Sequence, residues 1–365
     1  MIKKFTFIAC AVMTLAASAQ TFTAGSFNFN VLSEEDATVE LVAGDYNGKV
    51  VTAPSETVTY NGKTYTVVAI GDGAFKDMTF TCGSGTIWLP ATIQYVGAEA
   101  FSGTFVNTSN TTIGSADCVG FRGNPMTFDP TAFNNNKLNA VNVLNDTRYA
   151  NLSATANLGN AYRGVLFSSD YTVLYMFPGD KRDGTNTGSP AFTSYNVYSK
   201  VTKIAQNAFY GNKRLKTVNF PSGLVEIEAG AFHNTVLTSV HFPASLQTVG
   251  EDAFTGNDKI TVVTCDAEVP PTGVMFDDAV YANATLNIPE GSEAAYKAAP
   301  GWKKFFGEEE GIEGDVNGDG LVDVVDVNTV VTMLLDGVYE AKADLNKDNL
   351  VDVVDINAII SIILK

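Results

Sequence analysis

The sequence predicts an α/β repeat architecture: a solenoid of short strands closed at its N-terminus by an antiparallel β-cap and followed by a small all-α module. Three observations carry this prediction. Ala-Phe pairs recur at Ala208-Phe209, Ala231-Phe232 and Ala253-Phe254, spaced by 23 and 22 residues. Apolar and polar residues alternate through FNFNVL, ATVELV and TVTYNGKTYTVV, close to residue 67. Residues 315–336 read DVNGDGLVDVVDVNTVVTMLLD and recur at 344–365, offset by 29, as DLNKDNLVDVVDINAIISIILK, with eleven of the 22 aligned positions identical.

The chain opens on Lys3 and Lys4, an apolar run from Phe5 to Ala16, and Ala17-Ser18-Ala19 before Gln20. A basic flank, a short apolar stretch and a small-residue end predict a secretory signal peptide over residues 1–19, cleaved after Ala19. Cys10 follows only five residues of that run, which argues against a lipidated cysteine. No other segment approaches the roughly 20 apolar residues of a membrane span. The expectation is a secreted or cell-surface protein without a membrane span.

Residues 20–66 read as the β-cap: the alternation has the period of a half-buried strand, KVVTAP continues it, and Asn61-Gly62 is a type I′ hairpin turn. The solenoid is expected over 67–306. Its unit is clearest in VTKIAQNAFYGNKRLKTVNFPSGL, VEIEAGAFHNTVLTSVHFPASL and QTVGEDAFTGNDKITVV, where short strands at 217–220 and 239–242 end at Pro221 and Pro243. Such a unit exposes an apolar edge that only its neighbour can cover, so the units must stack. Pieces of the pattern recur at VVAIGDGAF (67–75), IWLP (87–90), VGAEAF (96–101), Ala132-Phe133 and LNIP (286–289).

The phrase LxxVxFPxxLxxIxxxAFxxN resembles the BspA-like leucine-rich repeats of bacterial surface proteins. The resemblance covers about 60–305 and weakens between 104 and 163; GVLFSSDYTVLYMFPGDK, Gly164 to Lys181, is similar to a β-hairpin insertion of that family. It implies that the phenylalanines fill the solenoid core and that the stack offers a face to an unknown protein or glycan ligand. PEGSEAAYKAAPGWKKFF, 289–306, predicts a short helix with Trp302 closing the last coil, and GEEEGIEG, 307–314, a polar linker.

The repeat at 315–365 carries the chemistry. A hard cation needs about six to eight oxygens, and a calcium loop supplies them from positions 1, 3, 5, 7, 9 and 12. In the first copy these are Asp315, Asn317, Asp319, the Leu321 carbonyl, Asp323 through a water, and Asp326; in the second, Asp344, Asn346, Asp348, the Leu350 carbonyl, Asp352 and Asp355. Two calcium ions are therefore expected. Gly320 fills the turn position, and its counterpart Asn349 departs from glycine while tolerating a left-handed backbone, so the second site is expected to be weaker. Position 12 is Asp in both copies, and no amphipathic helix precedes the first loop.

That pattern, GDVNGDGxVxxxD followed by ADxNxDxxVxxxD, resembles the type I dockerin family over about 313–365. The resemblance implies calcium-dependent folding and binding to a cohesin-like or other surface protein. It places partner contacts at Val324, Val325, Val331 and Thr332, and at Val353, Val354, Ile360 and Ser361. At roughly 100° per residue, Val327, Val330, Val331, Leu334 and Leu335 are expected on one helix face with Met333 beside them. Ile356, Ile359, Ile360, Ile363 and Leu364, with Ile362, repeat it. The second stripe is wider than two packed helices can cover, so apolar surface is left either for a partner or for the chain's own solenoid.

Composition excludes other classes. The net charge is −17, and 308–365 holds 14 acidic and three basic residues, so no nucleic-acid partner is expected. Past the signal peptide, Cys82, Cys118 and Cys265 are far apart and odd in number. They read as small buried residues, with one disulfide possible. The only histidines, His233 and His241, fit loop and strand positions, and no catalytic motif is present. Paired carboxylates of a glycoside hydrolase leave no linear signature. Three classes stay open: a non-catalytic binding protein, a non-catalytic component of an extracellular polysaccharide-degrading assembly, and an enzyme of unrecognised type.

Overall fold

The computed structural model describes residues 20–46, 54–81, 86–107, 118–122, 127–138, 140–144, 149–150, 164–181, 192–274, 276–307, 313–319 and 321–364. The signal-peptide segment, Cys82, Gly320, most of KVVTAP and most of the linker lie outside these residues, as does the side chain of Cys118. Among the described residues the fold is mostly β, with few and short helices.

Each central coil supplies one short strand to each of two parallel ladders. Lys203–Ile204, Glu226–Ile227 and Thr248–Val249 pair in one, with Lys203 opposite Glu226 and Glu226 opposite Thr248. Ser239–Phe242, Val262–Cys265 and Thr285–Asn287 pair in the other. Both ladders advance by the sequence spacing, so the periodicity sets the register. Between the strands lies the Ala-Phe turn. The Phe amide donates to the alanine carbonyl of the next coil, from Phe209 to Ala231 and from Phe232 to Ala253, each at 2.8 Å. The rings stack accordingly: Phe209 lies 4.6 Å from Phe232, and Phe232 lies 5.2 Å from Phe254. A parallel stack joins Phe75, Phe101 and Phe133.

Each of these turns reverses through a left-handed residue two after its phenylalanine, and all but that of Phe133 through another two before it, as at Asn207 and Gly211 around Phe209 or Gly230 and Asn234 around Phe232. That backbone explains the Gly, Asn and Asp of the repeat, since few other residues adopt it at little cost. Along the stack the second position runs Asp77, Gly103, Asn135, Gly211, Asn234, Gly256. The side chain of one coil lies over the glycine of the next. A β-carbon on Gly103 would stand 2.0 Å from Asp77 Oδ1, and one on Gly211 would stand 1.9 Å from Asn135 Oδ1.

The β-cap forms from Thr21–Ala24, Phe27–Ser33 and Thr38–Val42, which joins Lys63–Ile70 in parallel, and Thr57–Tyr60. Asn61 and Gly62 both have positive φ, as the type I′ turn requires. Lys63–Ile70 runs on into the solenoid ladder through Tyr95–Val96, so cap and solenoid share one sheet. The weak stretch keeps the ladder: Thr86–Leu89, Cys118–Arg122 and Ala140–Leu144 are parallel neighbours.

The expected hairpin is present as Leu166–Ser168 and Val173–Met176, antiparallel to each other. It is an integral part of the wall, because Val173–Met176 pairs in parallel with Lys203–Ile204 and Phe167 and Leu174 are fully buried. Its turn is shortened to Phe177-Pro178-Gly179-Asp180, with the Phe177 ring still on Phe209 at 5.1 Å. Outside that short turn, the Ala-Phe turn of 132–133 meets the next full coil directly, Asn135 N donating to Tyr210 O at 3.2 Å.

At the C-terminal end, helix α1 (Asp278–Asn283) and helix α2 (Glu293–Ala298) precede a 3-10 turn at Trp302–Phe306. Trp302 and Tyr296 are fully buried. They tie the last coil from inside, Trp302 Nε1 donating to Pro271 O and Tyr296 Oη to Ala267 O. Cys265 is buried and free.

Helices α3 (Val324–Asp336) and α4 (Val353–Ile363) form the last module around a small core of Val316, Val330, Ala343 and Ile359. Val327, Met333 and Ile356 pack against it. This corrects the expected stripe, for Leu334 is 38% and Leu335 80% exposed, and Ile360, Ile363 and Leu364 are exposed as well. The cause is the loop chemistry. Asp326 and Asp355 are themselves fully buried in the first turn of each helix, which turns the buried face toward 326, 327, 330 and 333. No helix among the described residues is long and apolar enough to cross a membrane.

Candidate functional site

The two acidic loops fold on their own backbone in nearly the same way. Asp315 Oδ1 accepts from the amides of Gly318 and Asp319, and Asp319 Oδ1 from Leu321. Asn317 Nδ2 donates to Asp319 Oδ2 at 2.8 Å. In the second copy Asp344 accepts from Asp348 and Asn349, Asp348 from Leu350, and Asn346 donates to Asp348. These turns bring positions 1, 3 and 5 over the loop, where short polar side chains bond their own backbone in preference to a regular ladder.

Position 12 closes each loop. Asp326 Oδ1 accepts from Val316 and Asn317 at 2.8 and 3.0 Å, and Oδ2 from Asp323 at 2.9 Å. Asp355 does the same with Leu345, Asn346 and Asp352. Each also completes a capping box with Asp323 or Asp352, so loop closure and helix start are one event. Burial works to raise the Asp326 carboxyl, but the amides of Asn317, Asp323 and Val316 outweigh it and hold the group below its ordinary value.

The backbone follows the turn chemistry. Gly318 has φ of 78°, and in the second loop Lys347 and Asn349 take 60° and 66°. Asn349 is thus left-handed as expected. Lys347, which the sequence pattern did not flag, takes in the second loop the left-handed backbone that Gly318 takes in the first. Among the described residues, no three His, Cys, Asp or Glu side chains converge as a group around one point. The donor set nonetheless suits a hard cation: apart from Leu321 and Leu350, which offer only their backbone carbonyls, every side chain at the expected ligand positions carries an oxygen donor, and Asp323 and Asp352 lie beside the loop as the helix N-caps.

The positions expected to meet a partner lie on the two helices of this module, most of them exposed and Val331 half-buried. Val324 and Val325 are 64% and 47% exposed, Val353 and Val354 59% and 51%, and Ile360 38%. Val331, Thr332 and Ser361 lie on the same helices, with the hydroxyls of Thr332 and Ser361 bonded back to Asn328 O and Asn357 O. On the solenoid, His233 stacks on Tyr210 at 4.9 Å, and His241 pairs with Asp266 at 2.8 Å on the exposed sheet face.

Residues 186–288 match the family described as "BspA type Leucine rich repeat region", in 6 copies. That segment is a BspA-type leucine-rich repeat array. Among solved structures, the chain is similar to the pneumococcal vaccine antigen PcpA, at 16% identity over 75% of this chain and 89% of that one, with a TM-score of 0.37. It is similar to a leucine rich cell surface protein from Faecalibacterium prausnitzii A2-165 at 18% identity, 70% and 57% coverage and a TM-score of 0.33. A leucine-rich repeat protein from Eubacterium ventriosum ATCC 27560 matches at 13% identity, 74% and 78% coverage and a TM-score of 0.38. No curated protein matches the chain. The leucine-rich repeat match begins beyond the hairpin and ends before the acidic loops, so the C-terminal module stands on its own geometry.

Proposed function

We propose that the chain is a secreted or cell-surface, non-catalytic binding protein, whose leucine-rich repeat solenoid recognises a protein or glycan and whose C-terminal module docks it to a partner in a calcium-dependent way. The observation that carries this reading is the duplicated loop–helix unit beyond a repeat array, each copy with exposed valines beside its acidic loop. Two calcium ions would be held by Asp315, Asn317, Asp319, Leu321 O, Asp323 and Asp326, and by their counterparts from Asp344 to Asp355. Bound calcium would neutralise the crowded carboxylates and fix the loops against the helices.

Docking through a cohesin-like protein would make the chain a component of an extracellular polysaccharide-degrading assembly. The duplicated, exposed valine pairs would let either half seat the same partner, and a cohesin-bearing protein secreted alongside is what would set this second reading above the first. Pull-down of secreted and surface fractions with the mature full-length chain, with calcium and with chelator, tests both. Calcium-dependent recovery of a cohesin-bearing protein supports the assembly. Recovery of nothing in either condition overturns the docking role.

A further inference from the structure

The coil stack is interrupted at one place, and a polar groove opens there. The shortened turn Phe177-Pro178-Gly179-Asp180 sits on the inner side between two full coils, with Gly179 N bonded to Asn136 Oδ1 and Asp180 N to Leu138 O. The outer turns close over it through Asn135 and Gly211. What remains is a cavity of about 540 Å³ floored by Gly179 and Asp180, with Asn135 and Lys137 on one side and Lys213 and Arg214 on the other.

Three properties set the chemistry of its ligand. First, the lining is asparagine, lysine, arginine, aspartate and glycine only, with no aliphatic or aromatic side chain. Ligand pockets for drug-like molecules and side-chain anchors are predominantly apolar; here the stems of Lys137, Lys213 and Arg214 share the lining with charged and amide ends, which suits a ligand with both C–H faces and polar groups. Second, three cations face one carboxylate, in a chain of net charge −17. Arg214 Nη2 reaches the buried Asp180 carboxylate at 2.9 Å, and Lys213 Nζ donates to Asn234 O and Oδ1 at 2.7 and 2.6 Å. Burial first, and then the nearby Lys259 ammonium against the opposing Asp258 carboxylate, hold the Lys213 ammonium below its ordinary range. Third, the floor is closely packed, because a β-carbon on Gly179 would collide with Asn136 O.

The break also leaves a donor over. Asn212, between Gly211 and Lys213, is 3% exposed and its amide nitrogen has no hydrogen-bond partner. Its counterpart Asn257, where the stack is regular, donates to the carbonyls of Phe232 and Phe254.

We propose that this groove binds an acidic sugar residue of an anionic saccharide, its carboxylate drawn to Lys137 and Lys213 and its hydroxyls to the Asp180 carboxylate and Asn135. Volume, charge and the mix of polar ends with lysine and arginine stems favour a sugar acid over an acidic peptide. The proposal rests on the reading of the solenoid as a recognition surface and names the ligand class of one part of it.

The test is calorimetric titration of the mature full-length protein with digalacturonate, with a neutral digalactoside, sodium sulfate and a tetra-aspartate peptide as separate arms. Saturable binding of digalacturonate is expected, weakened roughly ten-fold in Lys137→Glu and in Arg214→Lys, with an unchanged circular dichroism melt. Equal binding of the neutral sugar overturns the charge argument, sulfate as tight as the sugar acid reduces the groove to an anion site, and tighter binding of the peptide points to a protein ligand; each overturns the proposal. So does the absence of any digalacturonate binding, or binding that both variants keep in full. A glycan and protein array separates the two levels: capture of other ligands without digalacturonate binding sinks the groove and leaves the recognition surface standing, whereas an empty array sinks both.

Discussion

The side-chain oxygen of Asn135 lies over Gly211, 1.9 Å from where a β-carbon on that glycine would stand, although the two residues are far apart in sequence. Gly211 also holds φ at 69°. Both conditions exclude a side chain. Gly211→Ala is therefore expected to destabilise the solenoid by about 1 kcal/mol or more. Gly223 has open space around it and no positive φ, so Gly223→Ala should be neutral or stabilising by up to about 1 kcal/mol. Denaturant unfolding of both variants gives the comparison; equal destabilisation would show that the turn stack does not demand glycine at 211.

Phe232 is fully buried between Phe209 and Phe254. Phe232→Ala is expected to cost about 3–5 kcal/mol as a large-to-small core change. His233→Ala, which loses one ring contact with Tyr210, should cost about 1 kcal/mol at most. Thermal unfolding that left Phe232→Ala unchanged would mean the phenylalanine stack does not support the fold.

Asp170 caps the hairpin turn. Ser168 Oγ, Thr172 N and Thr172 Oγ1 all donate to its Oδ1, and these bonds hold its carboxyl down to about 2. The folded value lies below the unfolded one of about 3.9, so the turn gains stability above that pH and loses it as pH falls toward about 2. A carbon-13 titration of the Asp170 carboxyl should show the low midpoint, and Asp170→Asn should remove this acid dependence of hairpin protection. A midpoint near 4 would contradict the bonding described here.

Calcium should stabilise residues 315–364 and leave the solenoid unaffected. At a free concentration a hundred times the dissociation constant, linkage gives about 2.7 kcal/mol per site, and chelator should therefore make this segment sensitive to protease while the coils resist. Calorimetry should count two ions, with the second loop the weaker. Asp315→Ala should abolish the first site alone. Asp326→Ala should do so and also leave the amides of Val316, Asn317 and Asp323 without their acceptor, at about 1–3 kcal/mol even without metal. Protease resistance that ignores chelator would refute the metal dependence.

Exposure of all four loop valines leads to a redundancy prediction. Val324→Asp with Val325→Asp should weaken partner recovery only slightly, and so should Val353→Asp with Val354→Asp. All four together should remove it, with calcium binding intact because none of these side chains is a ligand. Undiminished recovery by the quadruple variant would exclude this face from docking.

Local rules settled much of this protein. Spacing of the Ala-Phe pairs determined strand length, register and ring stacking, because each coil contacts only its neighbours. Asn61-Gly62 determined its hairpin, and the spacing of Asp and Asn determined loops that close on Asp326 and Asp355, since these are contacts within a dozen residues. Tertiary structure decided the rest. Helix α1 is six residues long, too short for a period to show, and it exists because Val280 finds the end of the solenoid core. The buried face of α3 and α4 was set by two buried carboxylates that compete with leucines for the same interface, which a hydropathy wheel does not weigh. The groove of Lys137, Asp180, Lys213 and Arg214 has no linear signature, because its walls come from coils that become neighbours only when the hairpin shortens the turn between them.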